Sequence, residues 1–189
     1  MNKTAEQRKA ADVRADVIEP ADLQRGDIVL FGPDGTLGAW LIQIATWSHY
    51  HHVAIYDEHG KIIQAMPSGV DWGQLTHPHL IGLRPRVEEQ QRIQADEWAR
   101  SKIGDRYDHR GLFLIEFDRF FPGLRLDNPP ANRFSCAVFV AEAYKSAGVD
   151  LFPKQRWQDL VPGDFADLAA GPLPKRTHDN WPPVFPNRF

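Results

Sequence analysis

His52-Val53-Ala54-Ile55-Tyr56-Asp57-Glu58-His59-Gly60-Lys61-Ile62-Ile63-Gln64-Ala65-Met66 carries two short apolar runs around a Gly-containing turn. It predicts a β-hairpin, with a strand over 52–57, a turn at Glu58-His59-Gly60 and a returning strand over 61–66. Side chains alternate along strands, so His52, Ala54 and Tyr56 share one face with Ile62, Gln64 and Met66. With Asp57-Glu58-His59 taken as the loop, Tyr56 pairs with Gly60 and position 52 lies opposite 64. In that register Gln64 accepts a hydrogen bond from one imidazole nitrogen of His52, which leaves the other nitrogen for a partner. A one-residue slip would carry Gln64 to the opposite face.

Outward from the hairpin, Leu23-Gln24-Arg25-Gly26-Asp27-Ile28-Val29-Leu30-Phe31 reads as a turn feeding a strand, ended by Gly32-Pro33-Asp34-Gly35. Leu37, Trp40, Leu41 and Ile44 then form the apolar stripe of a helix. After the hairpin, Pro67-Ser68-Gly69 turns the chain into a short strand, Val70-Asp71-Trp72. A polar loop with His77 and His79 leads to an extended piece over Ile81 to Arg84. Ala95, Trp98, Ala99 and Ile103 keep helical spacing within 88–103, and Gly104 stops that helix. The division is a leader or helix over 1–21, one domain over 22–170 and a Pro-rich tail over 171–189.

The only cysteine lies in Arg133-Phe134-Ser135-Cys136-Ala137-Val138-Phe139-Val140-Ala141-Glu142-Ala143-Tyr144. Val140 and Tyr144 follow Cys136 by four and eight residues, so the spacing predicts a helix to about Gly148. Cys136 falls in its first turn, with Ser135 as N-cap. Backbone N–H groups and the helix dipole favour a thiolate there. A nucleophile also needs a base, and His49, His51 and His52 stand at the mouth of the hairpin strand. The ordinary alternatives are a buried structural thiol and hydrogen-bonded surface histidines. A metal reading starts from His49 and His51 on one strand face but lacks a third ligand at diagnostic spacing. No metal and no cofactor are expected. Core packing is the expectation for Trp40, Trp47 and Trp72.

The length of 189 residues suits one domain with a real core. Acidic and basic residues are interleaved and the net charge is −3, which argues against a nucleic-acid partner. One cysteine excludes an internal disulfide framework. No run approaches the roughly 20 apolar residues of a membrane span. The polar start, Met1 to Ala10, has no signal-peptide core. The expectation is a soluble chain that begins in the cytoplasm and would reach the cell envelope only by a non-standard route.

Four segments together resemble the circularly permuted NlpC-type papain-like cysteine hydrolases, close to the YiiX-like amidase family. They are the Gly26-Asp27-Ile28-Val29 strand, His52-Val53-Ala54-Ile55-Tyr56, Gln64-Ala65-Met66-Pro67-Ser68-Gly69-Val70, and the Ser135-Cys136 helix, with histidine before cysteine. Gly104-Asp105-Arg106-Tyr107-Asp108 and Val161-Pro162-Gly163-Asp164-Phe165 are similar to further family segments. The resemblance implies an α+β, permuted papain-like fold, with an antiparallel sheet packed against helices that include the nucleophile helix. It makes Cys136 the nucleophile, His52 the base and Gln64 the third polar residue, with Tyr107 and Ser135 at the oxyanion site or cleft. It implies cleavage of amide bonds, with peptides or cell-wall fragments as the substrate class. Many relatives carry glutamate where this chain has Gln64, and a neutral amide orients imidazole without stabilising imidazolium by charge. Asp71 is the alternative carboxylate. The competing readings are a lipid thioesterase or acyltransferase, akin to lecithin–retinol acyltransferase, and an inactive domain that binds peptides.

Overall fold

The structure, a computed structural model, describes residues 13–32, 49–66, 68–77, 79–105, 136–156, 160–170 and 173. The predicted helix over 37–44, Trp40, Trp47, Tyr107, Ser135 and nearly all of the tail lie outside the described residues.

An α+β architecture is observed, with a six-stranded sheet in the order β1-β6-β2-β3-β4-β5 and every neighbouring pair antiparallel. The strands are β1 (Ala15–Ile18), β2 (Ile28–Phe31), β3 (His52–Tyr56), β4 (Lys61–Met66), β5 (Gly69–Gln74) and β6 (Leu80–Pro85). Two α-helices are described, α1 (Glu89–Ser101) and α2 (Cys136–Ser146). The Pro162-Gly163-Asp164 segment opens a 3-10 helix, Pro162–Leu168.

β2 is buried along its whole length because both sheet faces are covered. Ile28 and Leu30 join Val53, Ile55, Ile63 and Leu83 in the main core, where Phe139, Val140 and Tyr144 of α2 lie. Val29 and Phe31 join Ala54 and Ile62 in a smaller cluster on the other face. A one-residue slip of β3 would take Val53 and Ile55 out of the main core. At about 2 kcal/mol per buried aliphatic side chain, that cost exceeds the roughly 1 kcal/mol of a single polar pair. The apolar residues therefore set which face His52 occupies.

The helices differ in burial: α2 buries Ala137 to Ala141, Ala143 and Tyr144, whereas α1 buries one stripe. In α1 the buried positions are Arg92, Ala95, Asp96 and Ala99, the i, i+3, i+4, i+7 pattern. Gln91 Oε1 accepts the Glu88 N–H at 3.2 Å and secures the start of α1. The Trp98 and Phe139 rings, 5.7 Å apart, join α1 to α2. Among the described residues no helix is long and apolar enough to cross a membrane.

Three expectations are corrected. Trp72 is not packed in the core but 39% exposed, with Lys61 and Arg100 over its ring. Residues 15–18 are not part of a leader or helix; they form β1, paired along β6 from Ala15 with Pro85 to Ile18 with Gly82. Ladder bonds to β6, with the Arg86–Asp16 ion pair at 2.7 Å, override the weak helical preference of an Ala-containing run. The sheet therefore begins ahead of the domain boundary expected at residue 22. The hairpin loop also sits one residue later than Asp57-Glu58-His59. Asp57 N–H donates to Lys61 O at 3.0 Å and Lys61 N–H to Glu58 O at 2.9 Å. His59 and Gly60 both adopt left-handed conformations, with φ of 53° and 73°, which closes a tight turn. Tyr56 consequently pairs with Ile62 rather than Gly60. The shift is two residues, an even number, so every face assignment survives.

Arg25-Gly26-Asp27 is explained as a clasp at the entrance to β2. Gly26 has φ of 85°, and a Cβ there would lie 2.3 Å from the backbone oxygen of Arg92 in α1. Its own carbonyl accepts the buried Tyr144 hydroxyl of α2. Asp27, fully buried, accepts the Gln24 N–H at 2.8 Å and both Arg84 Nε at 3.0 Å and Arg84 Nη2 at 2.7 Å. Beside it, Asp96 is held by Arg25 and by Arg100, whose Nε approaches at 3.0 Å, and Arg100 also pairs with Asp57.

Candidate active site

His52 opens β3, directly across from Phe31 of β2, and the two rings lie 5.4 Å apart. In the observed register Gln64 stands one step along β4 on the same face, and its side chain reaches back to the imidazole. His52 Nε2 and Gln64 Oε1 are 2.9 Å apart. With the amide oxygen as acceptor, Nε2 carries the proton and Nδ1 keeps its lone pair.

Burial, above all, lowers the His52 pKa to about 4. The bond to Gln64 pulls the other way, while positive charge on His51 or His77 would lower it further. The ring is therefore neutral at pH 7, in the state that accepts a proton. His49 is also lowered, chiefly by desolvation and then by His79.

Cys136 is the first residue of α2, half-buried at the edge of the main core. α2 packs on β3 and β4, the two strands that carry His52 and Gln64. The imidazole–amide pair lies on the face of Ala54 and Ile62, whereas α2 covers the face of Val53, Ile55 and Ile63. The structure thus brings His52 and Gln64 into contact and sets Cys136 on a helix docked against their strands. Tyr107 and Ser135 lie outside the described residues.

Asp71 stands directly across from Gln64 on β5, on the same sheet face. It is exposed, and its Oδ1 accepts the Trp72 N–H at 2.7 Å. Reading the sequence missed Phe31 and His77 as neighbours of the site. The Phe31 ring lies 5.5 Å from His77, and His77 lies 5.6 Å from His51. Phe31 was legible only as a strand residue and His77 only as part of a polar loop, because their meeting depends on β2 lying beside β3. Among the described residues no group of three or more His, Cys, Asp or Glu is placed to hold a metal ion. Compared with known proteins, the chain matches no protein-family model and no curated protein at a significant level.

Proposed function

We propose that this protein is a cysteine hydrolase of the permuted papain-like kind, cleaving an amide bond in a peptide, with bacterial cell-wall peptides as the substrate class. The observation that carries the reading is the 2.9 Å hydrogen bond from His52 Nε2 to Gln64 Oε1, which aims an unprotonated Nδ1 away from the amide. A half-buried imidazole that is neutral and oriented by a hydrogen bond presents the lone pair that a general base uses. The start of α2 supplies the second requirement, a thiol where backbone N–H groups and the helix dipole favour thiolate.

In this reading His52 Nδ1 takes the thiol proton as Cys136 Sγ attacks the substrate carbonyl. The carbon–nitrogen bond breaks as the imidazolium returns that proton to the leaving amine. Water then attacks the thioester, His52 takes its proton, and the carboxylic acid leaves as the thiol is restored. Gln64 holds the ring plane throughout and contributes no charge. Because α2 covers the opposite sheet face, the reading requires the Cys136 thiol, at the first residue of α2, to reach Nδ1 around the end of the sheet where His52 opens β3.

Two measurements test it. Peptidoglycan fragments and acyl thioesters are incubated with the protein and with Cys136→Ala, and the products are weighed by mass spectrometry. Amide cleavage by the wild type alone is expected. Thioester cleavage alone would replace the substrate class, and binding without turnover in both proteins would leave a peptide-binding domain. Alkylation of Cys136 should also shift the His52 ring resonances; unmoved resonances would separate the thiol from the base.

A further inference from the structure

Gly73 lies inside β5, where a glycine weakens a strand and commonly marks a place that another group must approach closely. Its backbone lies outside the left-handed region, so conformation does not call for glycine here. Space does. A Cβ built on Gly73 would lie 2.5 Å from Gln64 Nε2 and 2.9 Å from Gln64 Cδ, with Ile62 Cγ1 also at 2.9 Å. Gly73 pairs with Ile62, and Asp71 with Gln64, so Gly73 flanks the amide diagonally on the face that carries the imidazole. From this bed the Gln64 amide extends to His52.

We infer that Gly73 is a positioning residue: its missing side chain leaves the space from which the Gln64 amide reaches His52 and fixes its tautomer. Gln64 has three rotatable side-chain bonds, so a methyl at position 73 displaces the amide rather than the strand. Once displaced, the amide no longer holds the proton on Nε2, and the ring divides between its two tautomers. The inference rests on the hydrolase reading for its catalytic meaning. Its test needs no turnover, so the two fail separately.

The test is long-range nitrogen–proton NMR of the imidazoles in the full chain at pH 7, with His52→Ala used to assign His52. The wild type should show a single Nε2–H tautomer at His52, and Gly73→Ala should show a mixture. In a Gln64→Ala background, Gly73→Ala should leave the His52 pattern unchanged, because the group it displaces is already gone. An unchanged tautomer in Gly73→Ala, or an equal further change in the Gln64→Ala background, overturns the inference. If Gly73→Ala is too unstable for spectra, thermal melting decides. The loss of Tm caused by Gly73→Ala should be larger with Gln64 present than in the Gln64→Ala background. Equal losses would show that glycine serves Ile62 or the strand, and not the amide.

Discussion

Asp27 and His52 are both polar side chains held against the sheet, and their surroundings differ in kind. Asp27 is saturated: a backbone N–H and two guanidinium nitrogens of Arg84 converge on its two oxygens, with Arg92 Nε at 3.8 Å. Among the described residues His52 has one side-chain hydrogen bond, to a neutral amide, and lies beside the Phe31 ring and two further histidines. The first arrangement commits a fully buried carboxylate to cations and a backbone N–H of its own scaffold, so its worth is in holding β2, β6 and α1 in place. The second leaves a nitrogen lone pair on a ring that is neutral at pH 7, so it can still accept a proton. A buried polar cluster can therefore be sorted by what remains unspent once its internal bonds are counted.

The comparison breaks most sharply on rate. His52→Ala should lower turnover by about 10⁴-fold while leaving the melting temperature near that of the wild type. His51→Ala should keep most activity, and steady-state kinetics on the same substrate would show both. Reversed results would move the base to His51 and detach Gln64 from it.

On stability the order inverts. Asp27→Ala strands Arg84 and Arg92 beside the buried turn and should cost about 3–5 kcal/mol in urea unfolding. A loss under about 1 kcal/mol would put the clasp in the class of ordinary surface ion pairs.

A smaller effect is expected from acid. The folded pKa of His52 is about 4, below the ordinary value of 6.5 in the unfolded chain. Between these values the unfolded chain binds the proton more readily, so stability rises with pH through this window. This contribution is complete above pH 6.5 and is lost as pH falls toward 4. Between pH 7 and pH 5 it should amount to about 2 kcal/mol, and His52→Phe should lack that part of the slope. Equal slopes in the two proteins would mean that the ring is not desolvated.

The finest test is the change of amide to carboxylate. Gln64→Glu should preserve or raise activity and raise the His52 pKa, because a nearby negative charge favours imidazolium. The acid limb of the kcat/KM profile should move to higher pH with it. An unshifted limb, with full activity in Gln64→Ala, would turn attention to Asp71, which stands across from Gln64.

Legibility in the sequence followed the range of the interactions. The hairpin strands, the face shared by His52 and Gln64, and the existence and extent of α1 and α2 were readable because each rests on local periodicity; the buried stripe of α1 was read only in part, since it runs through Arg92 and Asp96 rather than Trp98 and Ile103. The hairpin register was misplaced by two residues, since left-handed His59 and Gly60 moved the turn; an even shift spared the pair. The Ala15–Ile18 strand was not readable, because its pairing partner lies some 65 residues away on β6.

By itself the sequence determined which side chains share a face and where the one thiol stands on its helix, because alternation and helical spacing are properties of neighbouring residues. Only the tertiary structure decided that β2 sits between β6 and β3, that Phe31 and His77 crowd His52, and that Gly73 makes room for Gln64. These depend on strand order and on the free space between side chains from different strands, which no local pattern encodes.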